Sequence, residues 1–320
     1  MGKRRPTDIT FAELERLAGD PDRCRAFVEK LRFPQGLVCP FCDAREADRP
    51  FVRHRSRPGL FTCGACRRQF SLTSGTALHR TKLPLGQWVR AIWLVISSSK
   101  GISARKLSEM IGVTYKVAWH MGHRIRSMMA VGQTVLSGVV EIDEVYAGAP
   151  PRKPHGGGSS GVPSGRGPRR PLVLTMVERG GEAIMKTIAS HSTAAIGKLA
   201  ADYLDPGAVV ATDALPAYQR VAAGHAHLTV THSAGQYVVR DPAGIGVDAH
   251  TNTAEAIHAN LRRAVMGVWH WVSQKHLDRY LDEVTWRHNR QKLGHLTRMA
   301  LVFQRKAGPL PFGELVSASP

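Results

Sequence analysis

No apolar run in this 320-residue chain is long enough to cross a bilayer: the longest, around Trp88 to Ile96, is interrupted by Arg90. The start, MGKRRPTD, is basic but has no apolar stretch behind it, so a secretory signal is not expected. An amphipathic helix with a basic face and a lipidation signal are both missing, which excludes a membrane surface as partner. Acids are scarce. Asp and Glu number 25 against 44 Lys and Arg, for a formal charge of +19. That imbalance favours a polyanion, and with membranes set aside the polyanion is nucleic acid. Cysteine is scarce too, and its five residues are an odd number. Four fall into two CxxC pairs, which is metal arithmetic in a reducing compartment and excludes a disulfide framework. Cys24 is left over as a free, partly buried thiol. Internal repeats are absent.

What is present is an ordinary globular composition, 43% hydrophobic, in a chain with room for about two or three domains. The first part, 1–34, has a helical stripe of Phe11, Leu14, Leu17, Phe27 and Leu31, with Asp8 or Thr10 as candidate caps. Residues 35–72 hold the cysteines among short strands and turns. Residues 82–130 carry three helical patterns. Residues 136–306 alternate strands and helices, and 307–320 read as a tail. A Gly-, Pro-, Ser- and Arg-rich stretch at 150–171 cannot bury enough surface to fold and is expected to be a disordered basic loop inside the last domain. It is either a solvated loop or a strip lying along the polyanion.

Cys39-Pro-Phe-Cys42 and Cys63-Gly-Ala-Cys66 enclose twenty residues, the C-x2-C…C-x2-C spacing of a structural zinc site. Four thiolates close a tetrahedron and leave no position for water, so Zn2+ would build a small ribbon and do no catalysis. In 82–130, Pro84 precedes the stripe Leu85, Trp88, Ile92 and Ile96. Ile102, Leu107 and Ile111 then give a short helix, Gly112 a turn, and Thr114 a cap for a longer helix. That is a helix-turn-helix, the second helix burying Val117, Met121, Ile125 and Met128. Tyr115, Lys116, Trp119, His120 and His123 would then point away from the core toward a DNA groove, with Arg124 and Arg126 toward phosphates. The competing view is a plain helical module with a solvated basic face.

Three carboxylates stand apart in 136–306. Asp143 lies in GVVEIDEVYAG and Asp213 ends AVVATD, both after β-branched runs that read as strands; Glu255 lies in the helical HTNTAEAIHANLRR. Alternation puts Glu141 and Asp143 on one strand face, with Ile142 and Glu144 on the other. On the helix, Ala254, Ile257, Leu261 and Val265 form the buried stripe, and Glu255, His258 and Arg262 share a neighbouring face. Lone acids mostly cap helices or sit in solvent. Three acids from separate elements of a strongly basic chain are what is needed to hold a pair of Mg2+ or Mn2+ ions against a phosphodiester. The fold class expected is α/β, an RNase-H-like mixed sheet with flanking helices, preceded by the small zinc ribbon and the helix-turn-helix module.

The succession CPFC, CGAC, GISARKLSEMIGVTYKVAWHMGHRIR, EIDEVYAG, TDALPAY and HTNTAEAIHANLRRAVMGVWHW resembles the bacterial insertion-sequence transposases that join a zinc ribbon to a DDE domain. The resemblance spans roughly Phe11 to Arg290. It implies that Asp143, Asp213 and Glu255 are the three catalytic acids and ligands of two Mg2+ or Mn2+ ions. Arg262 matches the basic residue downstream of the third acid, and Asn252 the Asn of an Asn-x-x-Glu pattern; Asn252 and His258 would support the site. Two departures are visible: Ala256, Ile257 and His258 replace the aromatic residues usual after the third acid, and the 150–171 loop is longer than usual. The resemblance further implies cleavage and strand transfer at terminal inverted repeats of double-stranded DNA, a target DNA, a homodimer or larger synaptic complex, and a cytoplasmic, DNA-associated bacterial protein. Trp269 and Trp271 are read as core, or as bases' stacking partners. Two other functions fit the same residues: a DNA-binding regulator with an inactive catalytic domain, and a metal-dependent nuclease or resolvase without strand transfer.

Overall fold

The local signals along the chain each stop or start an element. A computed structural model describes residues 8–130, 132, 134–148, 170–221, 223–231 and 235–317. Nearly all of the expected 150–171 loop therefore lies outside the described residues. Two compact units are formed: 1–130 together with 292–320, and 131–291.

In the first unit, Thr10 caps helix α1 (Phe11–Gly19) through a capping box with Glu13. Asp20 then ends α1 and caps α2 (Pro21–Arg32), with Pro21 in the first turn. A three-stranded antiparallel sheet follows, in the order β1 (Val52–Arg53), β2 (Leu60–Thr62), β3 (Gln69–Ser71). Its small core is aromatic: Phe70 meets Phe51 edge-on at 5.8 Å and Phe61 at 5.3 Å. Helix α3 (Leu85–Ser97) is buried on most sides. Ser103 caps α4 (Ala104–Ile111), Gly112 takes the left-handed conformation at φ 68°, and Thr114 caps α5 (Tyr115–Met129).

The second unit is a five-stranded mixed sheet in the order β6-β5-β4-β7-β8. The strands are β4 (Val139–Tyr146), β5 (Leu172–Glu178), β6 (Ala183–Ile188), β7 (Val209–Asp213) and β8 (Ala226–Val230). β4 is central, antiparallel to β5 and parallel to β7. Helices α6 (Thr193–Tyr203) and α7 (Pro216–Val221) cover one face, packing on Val140, Ile142 and Val210. Helices α8 (Asn252–Ala264) and α9 (Leu277–Asn289) cover the other, where Ala254, Ile257, Leu261 and Leu281 meet Val145, Val173 and Val177. This is the RNase-H-like mixed sheet with flanking helices that the strand and helix alternation leads one to expect. A π-helical turn, Val265–Trp269, continues α8, and Trp269 packs edge-on against Tyr280 at 4.7 Å, as core. Trp271 is half exposed.

The domain boundaries expected at 136–306 and 307–320 need correction. The second unit closes at 291, and the remainder of the chain joins the first unit. Helix α10 (His295–Gln304) packs on α2, α3 and α5, burying Met299, Val302 and Phe303. Gln304 donates to the Leu31 carbonyl at 2.7 Å, and Ala307 N–H to the Gly75 carbonyl at 3.1 Å. The supposed tail holds a short helix, α11 (Phe312–Val316), with Leu310 and Leu315 buried. Helical patterns run on from α9 past 291 into α10, so no local signal marks where the chain changes partner.

Candidate active site and zinc centre

Two matching turns build the cysteine site. The Cys39 carbonyl accepts from Asp43 N–H and the Cys63 carbonyl from Arg67 N–H, each at 3.1 Å, and Asp43 and Arg67 both have φ near 60°. Gly64 is required there, because a Cβ would lie 2.4 Å from the Pro50 carbonyl oxygen. The four sulfurs all lie within 4.8 Å of one another, with Cys39 to Cys66 and Cys42 to Cys63 both at 3.7 Å. Corners of a tetrahedron at the usual zinc–thiolate distance of about 2.3 Å are roughly 3.8 Å apart. The donor set therefore fits one Zn2+ in a closed structural site. Among the described residues this is the one metal-ligand group drawn so close together. Cys24 lies apart, fully buried, and burial pushes its thiol up to about 11.

The acids come together across the sheet and α8. The parallel ladder of β4 with β7 ends at Glu141 opposite Ala211. Two residues further along both strands stand Asp143 and Asp213, on the face covered by α8. Glu255 sits in the first turn of α8. Burial first, then the charges of Glu144, Asp213 and Glu255, raise the Asp143 carboxyl to about 7, against one opposing bond from Glu144 N–H. Three neighbouring acids, two of which raise the first by their charge, are a donor set suited to a hard divalent cation.

α8 also brings His258 and Arg262 to this face. His258 is buried; its Nε2 lies 2.8 Å from Thr175 Oγ1 and its Nδ1 3.5 Å from Asp143 Oδ2. Burial, with the Arg262 charge adding to it, lowers the imidazole to about 4, so it is neutral at physiological pH. Arg262 itself is exposed two turns after Glu255, and Asn252 is exposed at the first position of α8.

Sequence reasoning missed two polar clusters around β4. Glu144, on the opposite face from Asp143, accepts from the Tyr218 hydroxyl and lies 3.4 Å from His191 Nδ1, while Tyr146 OH and His191 Nε2 are 2.8 Å apart. Burial raises the Glu144 carboxyl. On the Asp143 face Glu141 is fully buried and accepts from Arg179, Thr253 and Ala254. Alternation had placed these two acids on their faces, but nothing local signalled their partners.

The expected DNA face of α5 needs correction. Arg124 and Arg126 are buried, as is His123. Arg124 donates to the carbonyls of Ala77 and His79 and lies over the Trp88 ring at 5.0 Å. His120 Nε2 is 2.7 Å from the Leu310 carbonyl oxygen, and the Lys116 ammonium sits 4.4 Å from the Phe312 ring centre. Trp119 meets Phe312 edge-on at 6.0 Å. The physical reason is packing from two sides: residues 77–88 enclose Arg124, and the returning residues 310–312 cover His120, Lys116 and Trp119. Tyr115, 56% exposed, and Lys116 stay at the surface, as do Arg55, Arg57, Arg67 and Arg68 of the ribbon.

Residues 135–289 match the ISXO2-like transposase domain, and residues 19–69 match the transposase zinc-ribbon domain. The chain is also similar to an uncharacterized protein in transposable element ISH50 of Halobacterium salinarum. The two are 27% identical over 272 residues, which cover 81% of this chain and 87% of that protein.

Proposed function

The chain belongs to the insertion-sequence transposases, with a transposase zinc ribbon followed by an ISXO2-like transposase domain, and from that premise we propose that Asp143, Asp213 and Glu255 hold two divalent cations for DNA cleavage and strand transfer. The observation that carries this reading is the convergence of the three carboxylates on one side of the sheet, with Asp143 raised to about 7 by burial and by its acidic neighbours. Mg2+ or Mn2+ bound there supplies Lewis acidity to the attacking hydroxyl and to the leaving oxygen of the scissile phosphate.

The chain's own groups do the rest. Neutral His258, wedged between Thr175 and Asp143, holds the first acid in place without competing for cations by its own charge. Arg262, exposed on the same helix as Glu255, binds a phosphate oxygen of the DNA backbone, and Asn252 supports the approach to the third acid. Double-stranded DNA, as terminal inverted repeats and as target, is gripped outside this site by the exposed arginines of the ribbon and by Tyr115 and Lys116. Arg124, Arg126 and His120 are left out of that contact, because carbonyl groups and packing already engage them. Two transposon ends must meet for joining, so the working form is a homodimer or larger synaptic complex.

The test is incubation of full-length protein with Mg2+ or Mn2+ and a plasmid carrying its own gene and native flanks, wild type beside Asp143→Ala. Metal-dependent nicks at the flanks that vanish in Asp143→Ala, followed by joined products, are expected. Flank binding with no cleavage by the wild type would instead identify a regulator with an inactive catalytic domain, and cleavage without joined ends a nuclease.

A further inference from the structure

Helix α8 carries the third acid, yet its own N-terminus is not capped locally. Thr251, at the N-cap position, makes no side-chain capping bond. The first-turn amides are satisfied from the sheet instead. Glu141 Oε2 accepts from Thr253 N–H at 2.7 Å and Ala254 N–H at 3.1 Å, and Oε1 accepts from the Thr253 hydroxyl at 3.0 Å. The carboxylate belongs to β4, two residues from Asp143 and on its face. Its exposure is 0%.

The charge is matched from the other side. Arg179 donates through Nε to Glu141 Oε1 at 2.7 Å, and His250 Nδ1 lies 3.1 Å from the same oxygen. The remaining guanidinium nitrogens of Arg179 donate to the carbonyls of Asp248 and His250, both at 2.8 Å. Its own N–H bonds the Val139 carbonyl at 2.9 Å. One ionic knot thus ties β4, the turn after β5, the segment entering α8 and the first turn of α8.

We propose that Glu141 is a positioning residue that sets the separation and orientation of Glu255 relative to Asp143, and so tunes the affinity of the acid site for its divalent cation; this rests on the reading of Asp143, Asp213 and Glu255 as ligands. Glu141 touches neither substrate nor cation. It acts because Glu255 follows directly on Ala254, whose N–H it holds, while Asp143 is fixed to it through the strand. A carboxylate is needed. The amide of Gln would turn an N–H toward the donors Arg179 and Thr253, and Asp would retract the acceptor by one methylene and draw α8 with it.

The experiment uses the full chain with Mn2+, comparing wild type, Glu141→Gln, Glu141→Asp and Asp143→Ala. Mn2+ binding is followed by the loss of the free-ion paramagnetic resonance signal, and nicking of the plasmid with native flanks is titrated with Mn2+. In both Glu141 variants the half-saturating Mn2+ concentration is expected to rise about ten- to a hundredfold in both assays. Nicking should recover at saturating Mn2+, and flank binding should match the wild type. Should Glu141→Gln fail to fold, Glu141→Asp, which keeps the charge beside Arg179, carries the test. A midpoint within about twofold of wild type in the folded variants, with or without a lower melting temperature, would reduce Glu141 to a structural role. If Asp143→Ala binds Mn2+ as the wild type does, the ligand reading itself fails, and the positioning claim with it.

Discussion

At Asp143 a carboxyl is enclosed beside two others, and the direction of its titration has a consequence for stability. In the metal-free protein it is held at about 7, against an ordinary 3.8. Between those values the folded chain keeps a proton that the unfolded chain has released. The group's contribution to stability therefore falls as pH rises from about 4 to about 7, and above that it is a constant cost on the order of a few kcal/mol. The metal-free wild type should accordingly lose melting temperature between about pH 4 and about pH 7, and Asp143→Asn should flatten that loss. Mn2+ added at the upper pH should restore the wild type and leave Asp143→Asn unmoved, as a ligand that binds only the folded state does. Scanning calorimetry at several pH values reads both. The candidacy of Asp143, Asp213 and Glu255 was legible because β-branched runs and a helical stripe located them. The partners of Glu141 were not, since an acid after a β-branched run reads the same whether it faces solvent or is buried against a helix terminus.

Elements were set by local chemistry, but their exposed faces were not. Thr10 and Thr114 each cap the helix that their positions suggest, and Ser103 and Ser192 cap two more. Within α5, however, Arg124 and Lys116 read alike as basic residues and differ completely in surroundings. Arg124→Ala would leave the Ala77 and His79 carbonyls buried without their donor, at a cost of about 2–3 kcal/mol. We expect a lower denaturation midpoint and an unchanged salt dependence of flank binding. Lys116→Ala should do the reverse, leaving stability near wild type while reducing the slope of log affinity against log salt by about 1. Fluorescence-monitored unfolding and binding isotherms at several salt concentrations separate the two. The ribbon is the other element whose stability has a single source. With three short strands around Phe51, Phe61 and Phe70, its core is too small to stand without Zn2+. Native mass spectrometry should find one zinc per chain in the wild type; Cys63→Ser should abolish it and open the ribbon to protease, whereas Cys24→Ser should keep the metal.

On the scale of the whole molecule, the first unit is made from both ends of the chain. Phe303, Val302 and Met299 fill the space between α2, α3 and α5 from residues far along the sequence. Truncation after Gln291 should therefore expose that core and destabilise the N-terminal unit, leaving the RNase-H-like unit closed. Limited proteolysis should show cleavage concentrated in residues 8–130 of the truncated chain, against a resistant N-terminal unit in the full one. A catalytic unit that proved the more sensitive would contradict this assembly. No helix among the described residues is long and apolar enough to cross a membrane, in keeping with the interrupted apolar run at Arg90.

Sequence alone determined the pieces whose causes are near neighbours or fixed spacings: the two CxxC turns, the caps, the alternation of the strands, and the order of the three acids. Four thiolates at that spacing have one economical use, and caps and periodicity act over a few residues. Tertiary structure decided what depends on distant segments meeting. It closed α5 under residues 292–320, turned Arg124 and Arg126 inward, and ended the catalytic unit at 291. It also brought Glu141 to the first turn of α8. Packing rewards any segment that covers an apolar or unsatisfied face, wherever it lies in the chain. A residue's own neighbours in sequence carry no record of which segment that will be.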